Sequence, residues 1–182
     1  GGRYSIWSCV GLPVALQVGM CTFSDFLAGA KEMDDHFQNA SIENNLPKIL
    51  ALIGIWNSHC LGAESHAVVP YDDRLRFLPA YLQQLEMESN GKSVTKKGAL
   101  LDYHTAPITW GGLGSTAQHA FFQLLNQGTR LVPVDFIVAL QNKKGDSQLQ
   151  ASQIANCFAQ AETLMVGSEE ISLNDPEQNL PG

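Results

Sequence analysis

Ala67-Val68-Val69-Pro70-Tyr71, followed at once by Asp72-Asp73, decides how the whole sequence is read. It is a short apolar run rich in β-branched residues and closed by polar ones, the pattern of a buried strand. Upstream of it the apolar spacing is helical. Trp7, Val10, Val14, Leu16 and Val18 fit a first helix after a Gly-rich turn, and Phe23, Phe26, Leu27, Ala30, Met33 and Phe37 recur along a second that runs from Ser24 to Phe37. A third begins at Pro47, a residue suited to a first helical turn, and runs from Lys48 to Cys60. It is apolar on nearly every side, so it is expected to be central and buried.

Downstream of Asp73 strand and helix alternate. A helix is expected after Asp73, with Pro79 marking either its first turn or a kink, ending in Gln83-Gln84-Leu85-Glu86-Met87-Glu88-Ser89-Asn90-Gly91-Lys92. Residues 93–105 read as a loop or small hairpin, Pro107 to Trp110 as a strand, and Ser115 to Gln127 as a helix capped by Ser115 and stopped by Gly128. Leu131 to Leu140 is the third strand candidate, Ser147 to Met165 the last helix, and residues 167–182 a polar tail. Strand–helix alternation of this kind predicts an α/β fold: a three-layer sandwich around a mainly parallel, doubly wound sheet. With only three strands the sheet is expected to be incomplete in this chain, and the abrupt start on Gly1-Gly2-Arg3 reads as an internal one.

Composition narrows the function. Of 182 residues, 45% are hydrophobic and 16% charged, which is globular rather than disordered, and no apolar run is long enough to span a bilayer as a helix. A net charge of −7 with only scattered Lys and Arg pairs argues against nucleic acid as a partner. Cys9, Cys21, Cys60 and Cys157 are widely spaced with no C-x-x-C, so they are expected to be reduced, mostly buried thiols in a cytoplasmic protein. The five histidines form no H-x-x-x-H pair, and no metal site is expected.

Ligands of parallel sheets gather at the carboxyl ends of strands, which here are Tyr71/Asp72, Gly111 to Gly114 and the residues after Leu140. Glu88 follows Gln84 by four residues and Tyr81 by seven, placing the three on one helical stripe beside Leu78, Leu82 and Leu85. A carboxylate so held, beside a polar neighbour at a core's rim, suits a general base, though a solvated helix end has the same spacing. Trp110-Gly111-Gly112-Leu113-Gly114-Ser115-Thr116-Ala117-Gln118-His119 sets glycines and hydroxyls at a helix N-terminus, where an oxyanion or phosphate is favoured, and His119 falls near the first turn. The same segment formally fits a dinucleotide fingerprint, Gly112-x-Gly114-x-x-Ala117, with Asp135 about twenty residues on. Asp135 stands before rather than after its strand's apolar run, against that fit.

Taken together these segments resemble the phosphoglucose isomerase family. Gly1-Gly2-Arg3-Tyr4-Ser5, Gln83-Gln84 with Met87-Glu88-Ser89-Asn90-Gly91-Lys92, and Gln118-His119-Ala120-Phe121 with Gln127-Gly128-Thr129 are similar to its GGRYS, QQ…MESNGK and QHAF…QGT segments. Gly112-Leu113 and Ser115-Thr116 differ from its usual WGEPGTN loop, and Asn126 from its usual histidine. The resemblance implies a sugar-isomerase domain over residues 46–166, preceded by a helical connecting segment at 1–45. It implies interconversion of glucose 6-phosphate and fructose 6-phosphate, a step of glycolysis and gluconeogenesis, through a cis-enediolate without metal or redox cofactor. Glu88 would then be the base, Arg3 would bind substrate and stabilise the enediolate, Gln84 would bind substrate, and His119 would assist ring opening across a homodimer interface. The family's phosphate loop and ring-opening lysine lie outside these residues, so the chain alone is expected to be inactive. A non-catalytic sugar-phosphate-binding module of the same fold is the alternative.

Overall fold

A computed structural model of the chain describes residues 2–141 and 146–167 in two compact units, Gly1–Gly62 with Val94–His104, and Ala63–Ser93 with Thr105–Gly182. The expected tail from residue 168 on lies outside the described residues.

The first unit is helical. After two single 3-10 turns come α1 (Leu12–Val18), α2 (Met20–Asn39) and α3 (Leu46–Ile55), and a π-helical turn, Trp56–Cys60, closes the run. Trp7 stacks on Phe26 with ring centroids 4.4 Å apart. Asn45, fully buried, joins α2 to α3. Its Oδ1 accepts from the Lys48 amide at 3.3 Å as an N-cap, while its Nδ2 donates to the Phe37 carbonyl at 2.8 Å. The 93–105 segment carries one antiparallel bridge, Val94 to Leu100.

Two sequence expectations fail in this unit. Helix α3 has no buried residue, and Leu50, Leu52, Ile53, Ile55 and Trp56 are each 50–59% exposed. An all-round apolar pattern states what a helix requires to be stable in water; it does not supply the neighbours. Cys9, Cys21 and Cys60 are exposed, and only Cys157 is buried. Their spacing bears on disulfide and metal chemistry and carries no information on burial.

The second unit is α/β. Strands β1 (Ser65–Pro70), β2 (Ile108–Gly111) and β3 (Val134–Ile137) form a parallel sheet in the order β2-β1-β3. The central strand is the quoted Ala67-Val68-Val69 run. Its residues are 0–2% exposed, as a strand covered on both faces must be. Register pairs His66 with Thr109, and Val68 with both Gly111 and Asp135. Alternation then sends Val69, Tyr71, Trp110, Val134 and Phe136 to one face, where they meet α6 (Phe122–Gln127) and α7 (Ser147–Val166) around Phe122 and Cys157. The other face carries His66, Val68, Thr109 and Asp135 beneath α4 (Leu78–Leu82) and the turn that follows it. Helices on both faces of a parallel sheet make the expected three layers.

The helix expected over 115–127 is broken into α5 (Gly114–Ala117) and α6, and Leu113 rather than Ser115 precedes it. Phe121, at φ −144° and ψ 0°, is the break. Phe121 meets Trp110 edge-on at 4.7 Å while Phe122 packs toward Phe136 at 6.4 Å.

Candidate active site

The carboxyl edge of the sheet is shaped by close packing and one tight ion pair. Tyr71 leaves β1 with its ring 2% exposed and its hydroxyl buried without a partner among the described residues; burial pushes its pKa up to about 12. Gly114, the first residue of α5, lies so close to this ring that a side chain there would collide with it. Asp72 turns its carboxylate back to accept from the Arg74 amide at 2.9 Å and from its guanidinium at 2.9 and 3.1 Å. The Arg74 hydrogen bonds hold that carboxyl below the usual aspartate range, so an anion stands fixed where the strand ends.

Beyond α4 the chain winds more widely. Gln83–Glu88 is a π-helical turn, a form found mostly as single turns and frequently at functional sites. The winding is looser than the roughly 3.6 residues per turn assumed for the stripe Tyr81, Gln84, Glu88, but residues four apart still share a face, and all three are exposed. The acid presented to the sheet is Glu86. Its Oε2 accepts a 2.9 Å hydrogen bond from Oγ1 of Thr109, a residue only 1% exposed in β2. Gln84 and Glu88 are exposed on the same turn, so Glu88 is not shielded at a core rim within this chain. The turn ends in a Ser89 hydroxyl donating to the Leu85 carbonyl and Lys92 Nζ donating to the Glu88 carbonyl at 2.6 Å.

The other candidates lie apart from this turn in the chain. His119 sits in the bend between α5 and α6, exposed, rather than in the first turn of a long helix. Arg3 belongs to the helical unit, half-buried, with its guanidinium carbon 5.4 Å from the Tyr4 ring centroid. Asp135, the acid of the dinucleotide pattern, is the second residue of β3. Its carboxylate meets His66 Nε2 at 2.9 Å, toward the start of the strand and away from the ligand edge.

Sequence reading missed both Thr109–Glu86 and His66–Asp135. A signal existed for each: polar residues alternate with apolar ones at 108–110 and 134–136, marking a sheet face that carries polar side chains.

The His66–Asp135 pair should be visible in stability. The hydrogen bond to Asp135 raises the histidine's pKa above 6.5, against the opposing effect of burial, with Asp135 and then Glu86 adding electrostatic attraction. A raised folded-state pKa means stability that is fully present below 6.5 and lost as pH climbs through the higher folded value. Urea unfolding of the chain and of Asp135→Asn, compared across pH, is expected to show a gap that is widest below 6.5 and closes as pH rises through the higher folded value. A gap that does not change with pH would mean the imidazolium contributes nothing.

A parallel sheet with helices on both faces and its polar loops at one edge defines an α/β unit built to hold a ligand at its strand ends. The phosphoglucose isomerase family model matches residues 1–179. Glucose-6-phosphate isomerase of Hahella chejuensis is 51% identical over 99% of this chain, which spans 32% of that protein. That of Xanthobacter autotrophicus is 55% identical over 92% of this chain and 31% of its own length. The crystal structure of a glucose-6-phosphate isomerase from Chlamydia trachomatis superposes with a TM-score of 0.83 at 41% identity, covering 90% of this chain and 33% of the other. The chain belongs to the phosphoglucose isomerase family. It spans about a third of the length of these relatives.

Proposed function

We propose that these residues serve as part of a glucose-6-phosphate isomerase, in which Glu88 moves a proton between C2 and C1 of the open-chain sugar phosphate. The observation that carries this reading is the family match across residues 1–179, which includes every candidate site residue. In the proposed reaction Glu88 removes the C2 proton of glucose 6-phosphate, giving a cis-enediolate. Returning the proton to C1, while the hydroxyl proton passes from O2 to O1, yields the ketose, so one carboxylate works in both directions and no electron acceptor is required. Arg3 offsets the charge that develops on the enediolate oxygens, Gln84 binds substrate, and His119 assists ring opening from a neighbouring subunit of a homodimer. The setting is the cytoplasm. The residues that grip the phosphate lie outside this chain, and the chain alone is inactive.

The test uses two proteins. One is the 182-residue chain. The other, a grafted enzyme, is the Hahella chejuensis isomerase with its corresponding segment replaced by this chain. In a coupled assay, fructose 6-phosphate is expected to be isomerised by the grafted enzyme and not by the chain alone. A folded but inactive grafted enzyme that still binds sugar phosphate would support the non-catalytic binding module instead. Turnover by the chain alone would remove the claim that the rest of the protein is required.

A further inference from the structure

We infer that Thr109 and Glu86 are positioning residues: their hydrogen bond holds Gln83–Glu88 in its π-helical register and thereby sets the direction in which Glu88 points. The inference rests on the isomerase reading only for its kinetic consequence. Its structural part stands on this chain.

A π-helical turn is intrinsically less favourable than an α-helical one, so a turn of this kind persists where its surroundings fix it. Here the fixing group comes from the sheet. Thr109 is the second residue of β2, pairs with His66 of the central strand and is 1% exposed, so its hydroxyl has a defined place. That hydroxyl donates to Glu86 Oε2 at 2.9 Å across 23 residues of sequence. A buried hydroxyl facing a half-buried carboxylate leaves each group costly to strand without the other.

Glu86 lies midway between Gln84 and Glu88. Collapse of the turn to ordinary helical winding would change by one residue which amide meets which carbonyl, and would swing the residues after it by about 100° around the axis. Glu86 would leave Thr109, and Glu88 would leave its present direction. A carboxylate that must reach one carbon-bound proton tolerates no such swing, since misplacement of about 1 Å can cost on the order of 100-fold in rate.

Thr109→Val keeps the shape of the side chain and removes the donor; Thr109→Ser keeps the donor. In the grafted enzyme Thr109→Val is expected to lower kcat by about 100-fold with KM changed less than about twofold, and Thr109→Ser to recover most of the loss. A merely structural role would lower thermal stability equally without this split between kcat and KM. An unchanged kcat in Thr109→Val, or equal losses in Val and Ser, would overturn the inference. The second arm does not use activity. A crystal structure of Thr109→Val in the 182-residue chain is expected to show residues 83–88 rewound to α-helical hydrogen bonding. Retention of the π-helical turn with Glu88 unmoved would overturn the inference too. If the unsubstituted grafted enzyme proves inactive, the isomerase reading fails and this arm still decides the structural one.

Discussion

Glu88→Gln in the grafted enzyme is expected to abolish nearly all exchange of the C2 proton with solvent and to lower kcat by about 10²- to 10⁴-fold, the range contributed by a general base. Glutamine matches glutamate in size and keeps a carbonyl oxygen for hydrogen bonding, but it cannot take up a proton at neutral pH. Binding of sugar phosphate, measured by calorimetry, is therefore expected to survive the substitution. Glu88 is exposed and lies two residues beyond Glu86, which Thr109 holds to the sheet, so the proposed base would sit on an anchored turn. Exchange that remained within about tenfold of the parent would assign the proton transfer to another group. Lost binding together with lost exchange would mean that Glu88 holds the substrate as much as it reacts with it.

How far this site was legible depended on which physical rule each inference used. Short apolar runs closed by polar residues or glycine marked the strands, and the succession of strand and helix along the chain gave the parallel α/β arrangement. Pro79 marked the first turn of α4, because a proline is tolerated where the amide has no helical partner. The residues sharing motifs with the family were also plain, since they need no geometry to be recognised. What failed was inference from ideal spacing. The stripe through Gln84 and Glu88 gave no sign that the wider π-helical turn brings Glu86 to Thr109. Residues 115–127 have an unbroken helical pattern, yet the helix breaks at Phe121, whose ring meets Trp110 while that of Phe122 faces Phe136. Helix α3 shows the limit of composition: its apolar surface declares a need for cover, and its half-exposed leucines and isoleucines lack it among the described residues.

Two neighbouring glycines that look equivalent in sequence are expected to behave in opposite ways. Gly111 ends β2 at φ 152°, opposite Val68, and a Cβ there would run into the Val68 backbone carbonyl of the central strand. That obstacle cannot rotate away as a side chain could. Relief requires β2 to move off β1, and the unusual φ adds strain for any residue with a Cβ. Gly111→Ala is therefore expected to cost about 3 kcal/mol of unfolding free energy, at the upper end for overpacking, and to lower the urea midpoint of the chain accordingly. At Gly112 the nearest neighbour of a new Cβ is the Phe121 ring at 3.7 Å, an ordinary contact with a side chain that can adjust. Gly112→Ala is expected to fall within about 0.5 kcal/mol of the parent. Circular dichroism during urea unfolding of the two variants measures the difference. Equal losses at both positions would show that the loop needs glycine flexibility throughout. A loss below about 1 kcal/mol at Gly111 would show that β2 can shift away from Val68 without breaking the sheet. The predicted contrast places the constraint at the strand pairing itself, beside the residues that hold Thr109 against Glu86 and so beside the turn that carries Glu88.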